Sequence, residues 1–218
     1  MEISEEKRRD VAWARSIEGA DALLTKIEGI ARECFEKDGY AHPVAVLWTF
    51  RDPRPPHPKL DTFQQLVIGT QFTMESGEDK AAFSEFLAAT ARRLDAFAFA
   101  FVSESRILNL KLEDIPRNPG ESPEDAVARW RREQPRNFKD IAGYKEVVMV
   151  TFEHCAFRKG GCISLAEITR EIPGDESSPG TLQQYVRNGG FPGEASAPDK
   201  FAKTSGRFAG VLPGARGD

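Results

Sequence analysis

Between residues 96 and 105 the chain reads AFAFAFVSES, with Phe97, Phe99 and Phe101 falling to one side and Ala98, Ala100 and Val102 to the other. A period of two is the period of a strand. A phenylalanine row calls for an apolar cover, and the small-residue face lets another element come close. Two stretches carry the helical period instead. Over residues 5–37, Trp13, Ile17, Ala20, Leu24, Ile27, Ala31 and Cys34 recur every three or four positions, with Leu23, Ile30 and Phe35 beside them. Asp38-Gly39 closes this helix, with Gly39 suited to a left-handed cap. Over residues 77–94 the stripe is Phe83, Phe86, Leu87, Thr90, Ala91 and Leu94. Ser76 and Asp79 there resemble a capping box, and Arg92 and Arg93 suit the negative helix end. The second helix is expected to lie on the phenylalanine row through Phe83 and Leu87.

Pro43 opens a further strand, with Val44, Val46, Trp48 and Phe50 on one face and Ala45, Leu47 and Thr49 on the other. Apolar residues on both faces point to a central position in a sheet. The proline-dense RDPRPPHPKLD that follows cannot pair as a strand, and residues 63–68 resume extended structure, so the two form a hairpin. Pro53–Pro56 and Pro55–Pro58 also have the spacing of a polyproline ligand, although a stiff hairpin tip explains them more simply. EVVMVTFEH, residues 146–154, alternates Val148, Val150, Phe152 and His154 with Val147, Met149, Thr151 and Glu153. Arg158-Lys159-Gly160-Gly161 should turn it and residues 162–172 return as its partner, until Pro173 stops the strand. Between 109 and 143 the pattern lapses. Ser122-Pro123-Glu124-Asp125 opens a short helix there, reaching about Gln134 and carrying only Val127 and Trp130 as large apolar residues.

Taken together these elements predict an α+β fold: a single, mostly antiparallel sheet of about five strands with two principal helices packed on it. The order is α-β-β-α-β-β-β, with a short insertion helix. Residues 1–173 make one domain, with 109–143 as an insertion between strands. Residues 174–218, rich in Gly and Pro, are expected to form a largely irregular tail with one helical turn at 181–187, attached through Phe191, Phe201, Phe208 or Val211-Leu212. A chain of 218 residues suits one such domain.

Net charge of −4 argues against a chain-wide nucleic-acid surface. No apolar run reaches the roughly 18 residues of a membrane span, and MEISEEKRRD lacks the apolar core of a secretory signal. Cys34, Cys155 and Cys162 are too few and too scattered for a disulfide framework. A soluble, cytoplasmic protein without a membrane partner is the expectation.

Candidate chemistry concentrates around the second hairpin. Glu153, His154, Cys155 and Cys162 place four potential metal ligands within ten positions. A four-residue turn would pair Phe157 with Cys162, leaving Cys155 a diagonal away, about 7–8 Å. No CxxC or HxxxH pair completes a zinc site, and a strand-end histidine held by hydrogen bonds is the simpler reading of His154. Ser103, Glu104 and His154, all toward strand ends, are the candidates for acid–base or nucleophilic work. No GxSxG elbow or second carboxylate placed by spacing supports them. Arg129, Trp130, Arg131 and Arg132, with Arg136 and Lys139, have the look of nucleic-acid binding. Glu124, Asp125 and Glu133 dilute that patch, and a solvated face on which Glu124 and Asp125 pair with Arg129 along the helix is the simpler reading. No phosphate-binding loop or other cofactor motif appears.

The element order resembles that of roadblock and profilin-like domains, in topology alone. At residue level, AAFSEFLAATARRLDAFAFAFVSE (81–104) and KEVVMVTFEH (145–154) are similar to a loose group of bacterial and phage-borne proteins with no assigned activity. The resemblance implies a fold and a cytosolic setting, and no site. The functional expectation is a non-catalytic protein-interaction or accessory domain, self-associating and without cofactors. The alternatives are a small hydrolase or metal-dependent enzyme centred on His154, and weak nucleic-acid binding through the arginine-rich helix.

Overall fold

The computed structural model describes residues 5–50, 64–69, 77–108, 115–133, 144–157, 161–172, 175, 177–188 and 211–212. The fold is α+β, a single antiparallel sheet with helices on it. The helices are α1 (Glu5–Ala14), α2 (Ile17–Asp38), α3 (Gly77–Leu94) and α4 (Pro123–Glu133). The strands are β1 (Val44–Thr49), β2 (Gln64–Gly69), β3 (Ala98–Leu108), β4 (Tyr144–His154), β5 (Cys162–Arg170), β6 (Gly180–Leu182) and β7 (Val186–Asn188). They run in the order β2-β1-β3-β4-β5-β6, with β7 also on β5. β1 is central, as its doubly apolar pattern requires, with Ala45, Val46, Leu47 and Trp48 all buried.

Each face of the sheet has its own core. Trp48, Ala98, Ala100, Val102, Val148, Val150 and Phe152 pack against Leu23, Leu24, Ile27, Ala31 and Phe35 of α2. The small side chains of β3 let that helix approach closely. On the other face Ala45, Leu47, Phe99 and Phe101 meet Phe83, Leu87 and Ala91 of α3.

Four expectations are corrected. The predicted 5–37 helix is two helices. Ser16 takes an extended conformation and accepts the Gly19 N–H at 3.1 Å as the N-cap of α2. Gly19 lies so close to the Trp13 and Ala14 backbone that a side chain there would collide with it. Trp13 is consequently 52% exposed instead of buried on the stripe.

The phenylalanine row is two residues long. Alternation begins at Ala98, whereas Phe97 lies in the crossover from α3, its N–H on Trp48 O and its carbonyl accepting the Cys155 N–H. Its ring turns to the α2 side and stacks on Phe50 at 4.8 Å.

The second hairpin turns earlier than its glycines suggest, because Phe152, not Phe157, pairs with Cys162. The Phe157 N–H to His154 carbonyl bond reverses the chain at Cys155-Ala156. Residues 181–187, finally, make no helical turn. β6 and β7 form there, with Leu182 buried and Arg32 of α2 donating to the Leu182 and Gln183 carbonyls at 2.8 and 2.7 Å. Ser76, the proline loop, and Phe191, Phe201 and Phe208 lie outside the described residues.

Candidate functional site

The end of β4 holds three of the sequence candidates, and the pleat separates them. His154 faces α2 and is 3% exposed. Its Nδ1 accepts the Ala156 N–H at 3.0 Å, so the proton of the neutral ring is on Nε2, which donates to Ala14 O at 2.9 Å. Phe97, Phe152 and Phe157 surround the ring at 5.8–6.0 Å between centroids. Burial among them pushes the imidazole pKa down, with the bond to Ala14 opposing only in part. Both nitrogens are engaged with backbone, which is the hydrogen-bonded strand-end arrangement. In this state the ring anchors the C-terminus of α1 and presents no lone pair to a metal or substrate.

Glu153 points to the opposite face and is 1% exposed. Its two carboxylate oxygens accept the backbone N–H groups of Val211 (3.4 Å) and Leu212 (2.8 Å). Cys155 is exposed at the turn, and partial burial raises its thiol pKa against the attraction of Arg15. Cys162 is buried in the α2-side core, and Cys34 is half-buried. None of the three is in a disulfide among the described residues. Among the described residues no three His, Cys, Asp or Glu side chains gather as a metal site.

Ser103 and Glu104 stand at the other end of the sheet. His154 lies opposite Ala98, five positions before Ser103 along β3, a separation of about 17 Å at the strand rise. The structure therefore does not bring the serine, the histidine and Glu104 together. Ser103 shares a hydrogen bond with Ser105. Glu104 accepts the Ala41 N–H at 2.8 Å and belongs to a polar layer that sequence reasoning missed. In that layer Arg170 donates from Nε to Glu146 at 2.9 Å, stands 3.9 Å from Glu104, reaches the Ser178 carbonyl at 3.2 Å, and stacks over the Phe35 ring. Tyr144 donates to the second Glu146 oxygen at 2.9 Å. A cleft of about 390 Å³ opens beside it, lined by Lys80, Glu104, Ser105, Arg106, Glu146 and Ile168.

A second missed cluster ties β7 to α2. Arg187 forks onto Glu28 at 2.8 and 2.6 Å and reaches Asp21 and Thr25, while Ser164 donates to Glu28 at 2.6 Å. These bonds to carboxylates raise the guanidinium pKa further above its already high value, Glu28 contributing most. Legible signals existed for both clusters. Glu28 interrupts the apolar stripe of α2 between Ile27 and Ala31, and Arg170 sits in the inward phase of β5 after Cys162, Ser164, Ala166 and Ile168. A charge in a buried phase implies a partner.

In the arginine-rich helix Arg129 is held by Glu121 at 3.0 Å, by Glu133 at 3.2 Å and by the Pro116 carbonyl at 2.6 Å. The partners are acidic as expected, but Glu121 precedes the helix and takes the place assigned to Glu124 and Asp125. Arg136 and Lys139 lie outside the described residues.

The strands nearest the sheet's far edge show a different feature. Met149 lies opposite Leu165, which lies opposite Val186. Cross-strand partners share a face, and this is the α3 face, since Ser103 opposite Met149 follows Phe101 in phase. Met149 and Leu165 are half-buried and Val186 is 62% exposed. Among the described residues the α3-side core gathers β1 and β3; β4 buries Val147, Thr151 and Glu153 on this face and leaves Met149 partly accessible.

Comparison with protein-family models, curated proteins and solved structures finds no match to the chain. No helix among the described residues is long and apolar enough to cross a membrane.

Proposed function

We propose that this chain is a non-catalytic contact domain that self-associates through the uncovered part of its α3-side sheet face, working as an accessory subunit in the cytoplasm. The observation that carries this reading is the row Met149–Leu165–Val186, three cross-strand apolar neighbours that keep solvent access. A contiguous apolar strip rimmed by polar groups is a contact surface by its chemistry. The Lys145–Glu167 pair lies on the same face beside it. The buried ionisable groups at the end of β4 support the same view, since both bind backbone. Three cysteines with no disulfide among the described residues suit a reducing compartment.

Size-exclusion chromatography with light scattering tests it. The full-length chain should run as an oligomer at micromolar concentration, and Leu165→Glu should return it to a monomer with little change in thermal stability. A strictly monomeric wild-type chain, with no partner copurifying, would overturn the reading.

A further inference from the structure

We propose that the pocket holding Val211 and Leu212 is a recognition slot for that segment from a second copy of this chain, so that self-association proceeds by exchange of the plug. Val211 and Leu212 are 1% and 5% exposed and belong to the α3-side core with Leu87, Phe99 and Phe101. Their consecutive backbone N–H groups meet the two oxygens of one buried carboxylate, Glu153. The slot thus contacts the backbone of the segment twice. Its apolar walls take two aliphatic side chains, and its carboxyl group takes two main-chain donors, the Leu212 N–H at 2.8 Å and the Val211 N–H more loosely at 3.4 Å.

Nothing in that chemistry depends on which copy supplies the segment. Residues 189–210 separate the last strand from the plug, a contour of roughly 75 Å at full extension. A folded chain of this size has a radius of gyration near 17 Å, by the ordinary scaling of domain size with length. By contour length alone a neighbour's slot is within reach. Because cis and trans junctions have identical contacts, exchange alone breaks even near the effective concentration of the tethered plug, on the order of millimolar. Added contact between the exposed sheet rows of the two copies moves that balance to lower concentration. In this respect the inference rests on the proposed self-association. Exchange of an identical element is the least costly route to such a dimer.

Two incomplete chains test it. One carries Val211→Asp with Leu212→Asp and has a slot without a plug. The other carries Glu153→Ala and has a plug without a functional slot. With Leu165→Glu added to both so that the sheet contact is removed, each alone should be monomeric by light scattering, and their mixture, at about 100 µM of each, should gain a species of twice the monomer mass. A mixture that stays monomeric, with both variants folded by circular dichroism, overturns the proposal. Should either variant fail to fold, a diazirine analogue of leucine at position 212 of the otherwise unchanged chain decides. Irradiation should give cross-linked dimers joining position 212 to the Glu153 region of the other copy, and intrachain products alone at every concentration would refute exchange. The two readings fail separately. An oligomeric wild-type chain with only intrachain cross-links removes the plug and keeps the sheet contact, whereas a monomeric wild-type chain whose variants still complement does the reverse.

Discussion

On the α2 side of the sheet, Trp48 and Phe152 are fully buried beneath a helix of 22 residues, and the rim of that core is tied by Arg170 to Glu146 and by Arg187 to Glu28. On the α3 side, Phe99 and Phe101 are equally well covered and Val147, Thr151 and Glu153 of β4 are buried too, but Met149 and Leu165 are half-buried and Val186 is exposed. The strands are shared and their alternation is regular, so propensity cannot distinguish the faces. What differs is how far each helix reaches and where the charges stand. The α2 face has ion pairs at its perimeter, Arg170–Glu146 nearly buried and Arg187–Glu28 less so. On the α3 side the end of β4 is closed by a two-residue segment on Glu153.

Phe152 and Met149 test this contrast within one strand. Phe152→Ala should cost about 3–5 kcal/mol, as expected for a large ring removed from a packed core. Met149→Ala should cost roughly 1 kcal/mol, because much of that side chain already sees water. Urea unfolding of the two variants measures the difference, and near-equal losses would mean that the two faces are equally sealed.

The perimeter pairs come next in size. Arg170→Met strands the Glu146 carboxylate in a buried site and should cost about 3 kcal/mol. Adding Glu146→Leu should recover most of that loss, since an apolar pair of similar bulk replaces both charges. A double variant no better than the single one would show that Glu104 or the Ser178 carbonyl, not Glu146, is what Arg170 serves.

The smallest effect is that of pH. His154 is held neutral in the folded state, its pKa depressed by burial, whereas in the unfolded chain it titrates near 6.5. Its contribution is therefore complete above about pH 6.5 and is lost as pH falls below that value toward the folded pKa, at most ~1.4 kcal/mol per pH unit. His154→Phe, which keeps a ring among Phe97, Phe152 and Phe157, should remove this slope between about pH 7 and 5.5 while lowering stability at every pH through the lost bond to Ala14. Carboxylate titration below that range is common to both chains. An unchanged slope would mean that the ring is not the group titrating.

Much of this architecture was written in the alternation of side chains. The faces of β1 and β4, the position of α3 and the start of α4 at Pro123 all follow from periods of two and 3.6 read against proline and acid placement. Three features escaped that reading for identifiable reasons. The break at Ser16 is local, but the apolar stripe continues across it in sequence, so periodicity hides it. Phe97 keeps strand phase in the sequence, yet its backbone is claimed by Trp48 and Cys155 before the β3 ladder begins. β6 and β7 are three residues each, too short to announce themselves, and form because β5 offers an open edge and α2 supplies Arg32 and Glu28.

The candidate site divides in the same way. That Glu153 and His154 face opposite sides was legible from the pleat alone, a local consequence of backbone geometry. That each finds a backbone partner far along the chain, Leu212 for one and Ala14 for the other, was decided only when the sheet closed. Burial, unlike alternation, depends on what the rest of the chain places above a residue. Composition and period determined which residues could lie inside; the packing of α2, α3 and the Val211–Leu212 segment determined which of them did, and left one apolar row outside.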